Sequence, residues 1–249
     1  MHIGFTTTTL RQIKSLEKIV DIAKKCDAEC IEWGGDIHVT DINSAKKAKM
    51  LCDKADIRIS TYGSYYRVGS DDTEKWKGIC EIATTLGARS VRVWLGSADS
   101  EDTDDATYKK LVDDLRYMCS VAKEYGLIVA PECHGNTYNN NTDAFLKIRE
   151  DIGYENFRTY FQSKYCRKEY DFDRIVRTIA DIDCVHVSYY EQFREQFPKC
   201  DSSYMTEIIR KLSDCGYNGD IMVEFVFFSY QYGVPFALKR EINKLRKII

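Results

Sequence analysis

With 249 residues, 44% of them hydrophobic, the chain is long enough to bury a substantial core, and no Pro/Ser/Gly-rich linker divides it. We therefore expect one domain over residues 1–249. A net charge of −3, a pI near 5.9 and the lack of any apolar run near ~20 residues give no basis for binding nucleic acid or a membrane, so a small-molecule ligand is expected.

Short β-branched runs alternate with amphipathic segments along the whole chain. The predicted strands are Ile3–Phe5, Cys30–Trp33, Arg58–Tyr62, Ser90–Trp94, Leu127–Glu132, Arg158–Gln162, Cys184–Val187 and Ile221–Phe225. Helices are predicted to begin near Leu16, Ala45, Thr73, Thr107, Asp143, Phe172, Tyr204 and Phe236. Three helical stretches end on a glycine that can adopt the left-handed cap conformation, namely Gly87, Gly126 and Gly216.

Eight strand-plus-helix units in about 250 residues are typical of a single (β/α)₈ TIM barrel, an α/β fold with parallel strands. The alternative is a doubly wound open sheet built from the same units in another order. The chain has neither a G-x-G-x-x-G after the first strand nor a G-x-x-x-x-G-K-[ST] segment, which disfavours the open sheet. In a barrel, functional side chains are expected at the C-terminal ends of the strands.

Ten cysteines raise the question of disulfides or metal knuckles. The N-terminal segment has neither the basic region nor the apolar stretch of a secretory signal, so we expect reduced thiols and a cytoplasmic protein. There is no Cys-x-x-Cys pair, and the nearest two, Cys26 and Cys30, fall at a predicted helix end and a predicted strand start. A structural zinc or redox site is therefore not expected.

Three predicted strands end on side chains that can bind a metal: Glu132, His186 and Glu224. Each of them alone is more often a salt-bridged glutamate or a core histidine, but together they predict one pocket at the mouth of a barrel. Gln162 ends a fourth strand and could add a neutral amide oxygen, although a hydrogen-bonded polar residue is an equal alternative. This set carries a charge of −2, which a divalent ion neutralises. We expect Mn²⁺ first, with Co²⁺, Mg²⁺ or Zn²⁺ as alternatives.

Further residues at strand ends, or in the loops that follow, are candidates for contacting the substrate. Strand alternation places His134 on the same side as Glu132, and aromatic rings at the rim could stack on a sugar or simply pack in the core. Arg67 and Arg92 are weaker candidates, because most arginines form salt bridges. The residues expected to bind substrate are Glu32, His38, Tyr62, Trp94, His134 and Arg194.

Five segments carry a resemblance to a known family: Ile31–His38, Val91–Trp94, Pro131–His134, Val185–Val187 and Gly216–Glu224. They resemble the xylose isomerase-like TIM barrel superfamily, and within it the sugar phosphate isomerase/epimerase family. The resemblance implies one divalent metal, held by two glutamates, an aspartate and a histidine, with the glutamates also moving protons on a ketose or aldose.

Carried over to this chain, the paired glutamates are Glu132 and Glu224, and the metal-binding histidine is His186. The sixth strand departs from the pattern, because Gln162-Ser-Lys-Tyr165 stands where many members have Asp-x-x-His. The fourth ligand is therefore neutral here, and a histidine that contacts the substrate is lost.

The expected activity is that of a metal-dependent sugar isomerase or epimerase acting on a sugar or polyol-derived substrate. It would abstract a proton next to a carbonyl and form an enediolate, with Glu132 and Glu224 as acid and base. A keto-inositol-type dehydratase on the same scaffold is the nearest alternative. A non-catalytic carbohydrate-binding barrel is a third, suggested by Gln162. An apurinic-site endonuclease is disfavoured, because four histidines are too few for its three zinc ions.

Overall fold

The computed structural model describes residues 1–163, 167–188, 202–226 and 233–249. Strands and helices alternate along these residues, as the sequence predicts. The strands are β1 (His2–Thr6), β2 (Cys30–Gly34), β3 (Arg58–Val68), β4 (Ser90–Leu95), β5 (Ile128–Pro131), β6 (Thr159–Gln162), β7 (Ile182–Ser188) and β8 (Asp220–Phe225). The helices are α1 (Leu16–Lys25), α2 (Ile42–Ala55), α3 (Lys75–Leu86), α4 (Asp105–Glu124), α5 (Thr142–Ile152), α6 (Lys168–Thr178), α7 (Ser202–Asp214) and α8 (Gly233–Arg246).

The eight strands form one parallel sheet in the order β5-β4-β3-β2-β1-β8-β7-β6. Its two edges meet where Val129 pairs with Phe157. There the Val129 amide donates to the Asn156 carbonyl at 2.8 Å, and the Arg158 amide donates to the Val129 carbonyl at 3.0 Å. The sheet thus curls into a nearly closed (β/α)₈ barrel, which confirms the predicted fold and excludes the open-sheet alternative.

The predicted helix caps are confirmed, with φ of 84° at Gly87, 68° at Gly126 and 87° at Gly216. The main difference from the predicted elements is β3, which continues to Val68 through a register shift between Gly63 and Tyr66. None of the helices in the described parts of the chain is both long and apolar enough to cross a membrane.

Alternation along the strands divides the barrel interior into layers. The middle layer is a compact buried cluster of small and apolar side chains, which closes the barrel beneath its C-terminal mouth. Its members are Cys30, Ala130, Tyr160, Cys184 and Met222. The next inward-facing residues along these strands are polar, so the fold itself delivers charged side chains to the C-terminal end.

The opposite mouth is closed by ion pairs around Asp220, which is 1% exposed. Both Arg58 and Arg89 donate hydrogen bonds to its carboxylate, and the Ser60 hydroxyl donates at 2.5 Å. Burial alone would raise the pKa of Asp220, but the bonds from Arg58 and the charge of Arg89 lower it to about 2. This cluster ties three strands together at the face that mainly serves stability.

We expect Asp220→Asn to lower the free energy of unfolding by about 2 kcal/mol at pH 7, because two arginines lose their shared carboxylate. The pKa of Asp220 is depressed in the folded state, so its contribution is complete above the ordinary value of 3.8 and is lost as pH falls towards 2. Urea unfolding at pH 7 and pH 3 should show the deficit of the variant shrinking by roughly half. An equal loss of unfolding free energy at pH 7 and pH 3 contradicts this account. Asp21→Asn, on the exposed face of α1, is the control.

Candidate active site and metal centre

Three of the predicted ligands meet at the C-terminal mouth of the barrel. Glu132 follows β5, while His186 and Glu224 lie in β7 and β8, and all three are buried. The His186 Nδ1 atom is 3.6 Å from the Glu132 Oε1 atom and 3.8 Å from the Glu224 Oε1 atom. One ligand atom from each residue lies within 4.8 Å of the other two, a spacing that could hold a metal ion.

Gln162 at the end of β6 joins this group through its amide. The Nε2 atom donates to the Glu224 Oε2 atom at 2.8 Å, while the Gln162 Oε1 atom is buried and accepts no hydrogen bond. The His186 Nδ1 atom is also buried and makes no hydrogen bond. Buried polar atoms without partners are costly, and a cation bound by these two atoms and the carboxylates would remove that cost. The oxygen and nitrogen donors therefore fit a divalent ion.

The Glu132 carboxylate is held by two donors from β4. The indole Nε1 of Trp94 donates to its Oε2 atom at 2.6 Å, and the Arg92 Nη1 atom is 3.1 Å from the same oxygen. Burial alone would raise the pKa of Glu132, but the charges of Arg92 and His186 outweigh it and lower the pKa to about 2. Glu132 is therefore kept ionised and fixed in direction.

Glu224 lies in a different electrostatic environment. Burial raises its pKa, and the negative charge of Glu132 acts in the same direction. Its contact with Gln162 is a hydrogen bond from a neutral amide, whereas Glu132 lies against a guanidinium. The two glutamates thus differ in proton affinity although they face one histidine.

Glu32, which the sequence predicts to contact substrate, lies on the far side of the His186 ring. Its Oε2 atom accepts hydrogen bonds from Thr61 at 2.8 Å, Tyr160 at 3.0 Å and the His186 Nε2 atom at 3.1 Å. Burial alone would raise the pKa of Glu32, but His186 and Arg92 hold it well below its ordinary range. These three hydrogen bonds all go to one oxygen, and the other oxygen, Oε1, is buried without a hydrogen-bond partner.

Burial would lower the pKa of His186, but the charge of Glu32 and the nearby Glu132 carboxylate raise it to about 10. The carboxylates that stabilise a proton on this ring would equally stabilise a cation beside it.

His38 and Tyr62, also predicted to bind substrate, point to protein partners. The two ring nitrogens of His38 lie 2.9 Å from the Thr7 hydroxyl and 3.0 Å from the Ile13 carbonyl. The Tyr62 hydroxyl donates to the Val39 carbonyl at 2.9 Å. Both side chains are buried and hold the loop that follows β2.

Trp94 and His134 lie at the rim of the pocket. The exposed His134 ring stacks on the indole of Trp94, with ring centroids 5.4 Å apart and an angle of 20° between the planes. The guanidinium of Arg67 lies 4.4 Å from the centroid of the Trp94 ring. These side chains therefore remain available for contact with a ligand. Arg194 and Tyr165 lie outside the described residues.

Sequence reasoning named Arg92 only as a weak candidate for contacting the substrate, and it gave Thr61 and Tyr160 no place in the site. Two of them could have been found from strand alternation, because Arg92 lies two residues before Trp94 and Tyr160 two before Gln162. Thr61 carried no comparable signal, since its β3 strand is irregular and pairs with β2 through a register shift.

The chain matches the model of the family described as "Xylose isomerase-like TIM barrel" over residues 20–248. No curated protein matches it by sequence.

Several solved structures share the fold at low identity. One is the probable 3-DHS dehydratase AsbF involved in petrobactin synthesis from Bacillus anthracis, with 17% identity, 99% coverage of both chains and a TM-score of 0.78. The 3-keto-D-glucoside 4-epimerase YcjR from E. coli has 15% identity, 99% coverage of both chains and a TM-score of 0.79.

The D-psicose 3-epimerase from Clostridium cellulolyticum H10, solved with D-tagatose, has 15% identity and a TM-score of 0.72 over 100% of this chain and 95% of that one. At such identities the structural matches establish the fold alone. The family match covers most of the sequence, and the chain therefore belongs to the xylose isomerase-like TIM barrel family.

Proposed function

We propose that this protein is a divalent-metal-dependent isomerase or epimerase acting on a sugar or polyol-derived hydroxy-carbonyl compound. The observation that carries the proposal is the convergence of Glu132, His186 and Glu224, each from a different strand, within one buried pocket. Family membership supports it, as do structural neighbours that include sugar epimerases. Binding of a neutral sugar also agrees with the aromatic rim at Trp94 and His134.

We assign the metal site to Glu132, Gln162, His186 and Glu224, with Mn²⁺ as the preferred ion. When bound, a divalent ion would supply positive charge that stabilises the negative charge developing on a substrate oxygen. The charges of the pocket agree with this assignment. Among the described residues, three glutamates and Arg92 leave a net charge of −2 when His186 is a neutral ligand, and one divalent ion neutralises this charge.

We assign proton transfer to the two ligand glutamates. Glu224 lies against a neutral amide and is the stronger base, so it abstracts the proton beside the substrate carbonyl. Glu132, held ionised by Arg92 and Trp94, lies across the pocket. If Glu132 takes a proton from solvent and passes it to the same carbon on the opposite face, the product is an epimer and Glu224 releases its proton to solvent. If Glu224 delivers the abstracted proton to the neighbouring carbon, the product is an aldose–ketose isomer.

The first test is deuterium exchange of substrate C–H protons in D₂O, with Mn²⁺-saturated protein and a broad panel of ketoses and aldoses. We expect exchange in the wild type and a loss of at least about 10³-fold in Glu224→Gln and in Glu132→Gln, since each lacks a proton-transfer group. Glu150→Gln, on the exposed face of α5, is the matched control. A different result would indicate a non-catalytic binding barrel: no exchange with any substrate, and unchanged sugar binding in the protein that carries both Glu132→Gln and Glu224→Gln.

Elimination of water is the second candidate, because it begins with the same proton abstraction. Structural similarity to a probable dehydratase, over 99% of both chains, supports dehydration as the alternative reaction. Mass spectrometry of the product separates the two reactions: isomerisation and epimerisation leave the mass unchanged, and dehydration lowers it by one water. A lighter product would replace the isomerase proposal with a lyase.

Gln162 gives an independent test of the metal assignment. We expect Gln162→Glu to tighten Mn²⁺ binding by about tenfold, because a carboxylate replaces a neutral amide oxygen. Without metal, the same variant should melt at a lower temperature than the wild type, since the new carboxylate faces the Glu224 oxygen that Gln162 now contacts at 2.8 Å.

Titration calorimetry measures the affinity and circular dichroism the melting temperature. Gln12→Glu, at an exposed position, changes the net charge equally and serves as the control. Equal or weaker Mn²⁺ binding in Gln162→Glu would remove Gln162 from the ligand set.

A further inference from the structure

One carboxylate oxygen of Glu32 accepts hydrogen bonds from three different strands. Thr61 of β3 donates at 2.8 Å, Tyr160 of β6 at 3.0 Å, and the His186 Nε2 atom of β7 lies 3.1 Å away. Glu32 is 0% exposed, so water does not compete for this oxygen. Three donors from separate strands fix the position of this oxygen, which makes it a rigid acceptor.

The His186 ring lies between this acceptor and the proposed metal ligands. Its Nε2 atom points to Glu32, and its Nδ1 atom, on the other side of the ring, lies 3.6 Å from Glu132 and 3.8 Å from Glu224. The Tyr160 ring packs against it edge-on, with centroids 4.9 Å apart and an angle of 87° between the planes. An imidazole that donates through Nε2 to a carboxylate has its lone pair on Nδ1.

We propose that Glu32 is a positioning residue for the metal centre: it accepts the Nε2–H of His186 and thereby presents the Nδ1 lone pair to an ion between Glu132 and Glu224. This inference rests on the proposed function, because a fixed lone pair matters only if His186 is a ligand. Carboxylates that receive the second N–H of a metal-binding histidine orient the ring and raise its basicity.

Glu32 could instead act only through its charge, as a distant counter-ion for Arg92 or for the metal. The distances disfavour this, since the Arg92 Nη1 atom is 3.8 Å from Glu32 but 3.1 Å from Glu132. The two roles predict opposite orders of Mn²⁺ affinity for two variants. Glu32→Gln keeps a carbonyl oxygen within reach of His186 and loses the charge, whereas Glu32→Asp keeps the charge and shortens the side chain by one methylene group.

The test is Mn²⁺ affinity of the full chain, measured by titration calorimetry after removal of bound metal. We expect Glu32→Asp to bind about 10- to 100-fold more weakly than the wild type, and Glu32→Gln to stay within about fivefold of it. Any other ranking, whether wild-type affinity in Glu32→Asp or an equal loss in both variants, overturns the positioning role. If Glu32→Asp does not fold, Glu32→Met replaces it, because it also lacks an acceptor in reach of His186.

A spectroscopic measurement separates positioning from general loosening of the site. In the Zn²⁺-loaded protein with ¹⁵N-labelled histidine, His186 should be bound through Nδ1 alone, with its proton on Nε2, in the wild type and in Glu32→Gln. In Glu32→Asp it should show a mixture of Nδ1-bound and unbound rings. Glu150→Asp, on the exposed face of α5, is the matched control, because it makes the same shortening of a glutamate away from the site. It should leave both the affinity and the tautomer unchanged, and a loss equal to that of Glu32→Asp overturns the proposal.

Failure of this inference is distinguishable from failure of the proposed function. If the wild type and His186→Asn both fail to bind Mn²⁺, the metal centre and the role of Glu32 are overturned together. If the wild type binds Mn²⁺ but exchanges no substrate proton, the reaction is overturned and the ranking of the Glu32 variants still decides the positioning role.

Discussion

The energetic constraint at the centre of this molecule is the burial of several carboxylates within a few ångströms of one another. Glu32, Glu132 and Glu224 all lie beneath the surface around His186, and Arg92 is the buried cation among them. Uncompensated charges of one sign are very costly in such a place, so the cluster depends on Arg92 together with either a proton on His186 or a bound cation. The mixed oxygen and nitrogen donors, with their unpaired atoms at His186 and Gln162, fit a divalent ion in that position.

The barrel makes this concentration of charge tolerable by separating it from the rest of the interior. A layer of small and apolar side chains, including Cys184 and Met222, lies below the pocket and closes the barrel. A second ionic cluster, around Asp220, lies at the opposite mouth and joins strands that are distant in sequence. The frame between the two clusters separates the upper one from the cluster that mainly serves stability.

Within the pocket, the three glutamates have different hydrogen-bond and charge partners. Glu132 lies against a guanidinium and an indole N–H, and Glu224 lies against a neutral amide. Glu32 is bound on one oxygen by three protein donors. Three glutamates therefore differ in proton affinity and in access to a ligand, which is how one fold can support several reactions that begin with proton abstraction.

Much of this architecture could be predicted from the sequence by itself. Alternating strand and helix patterns specify the barrel, the glycine caps mark the helix ends, and carboxylates and imidazoles at strand ends indicate the pocket. These features are local, because the period of the side chains and the conformation of a glycine depend on neighbouring residues. The positions of Glu132, His186 and Glu224 at one mouth followed from their places near the C-terminal ends of strands predicted to be parallel.

The tertiary structure decided what each polar side chain faces. Glu32, His38 and Tyr62 lie in strands or follow them, as Glu132, His186 and Glu224 do. Each nevertheless forms a hydrogen bond with a protein group, namely Thr61, Thr7 and Val39 respectively. The inclusion of Arg92 and Tyr160 in the site likewise depends on contacts between strands far apart in sequence. Hydrogen-bond partners are set by the stagger and closure of the whole barrel, and no local pattern encodes that geometry.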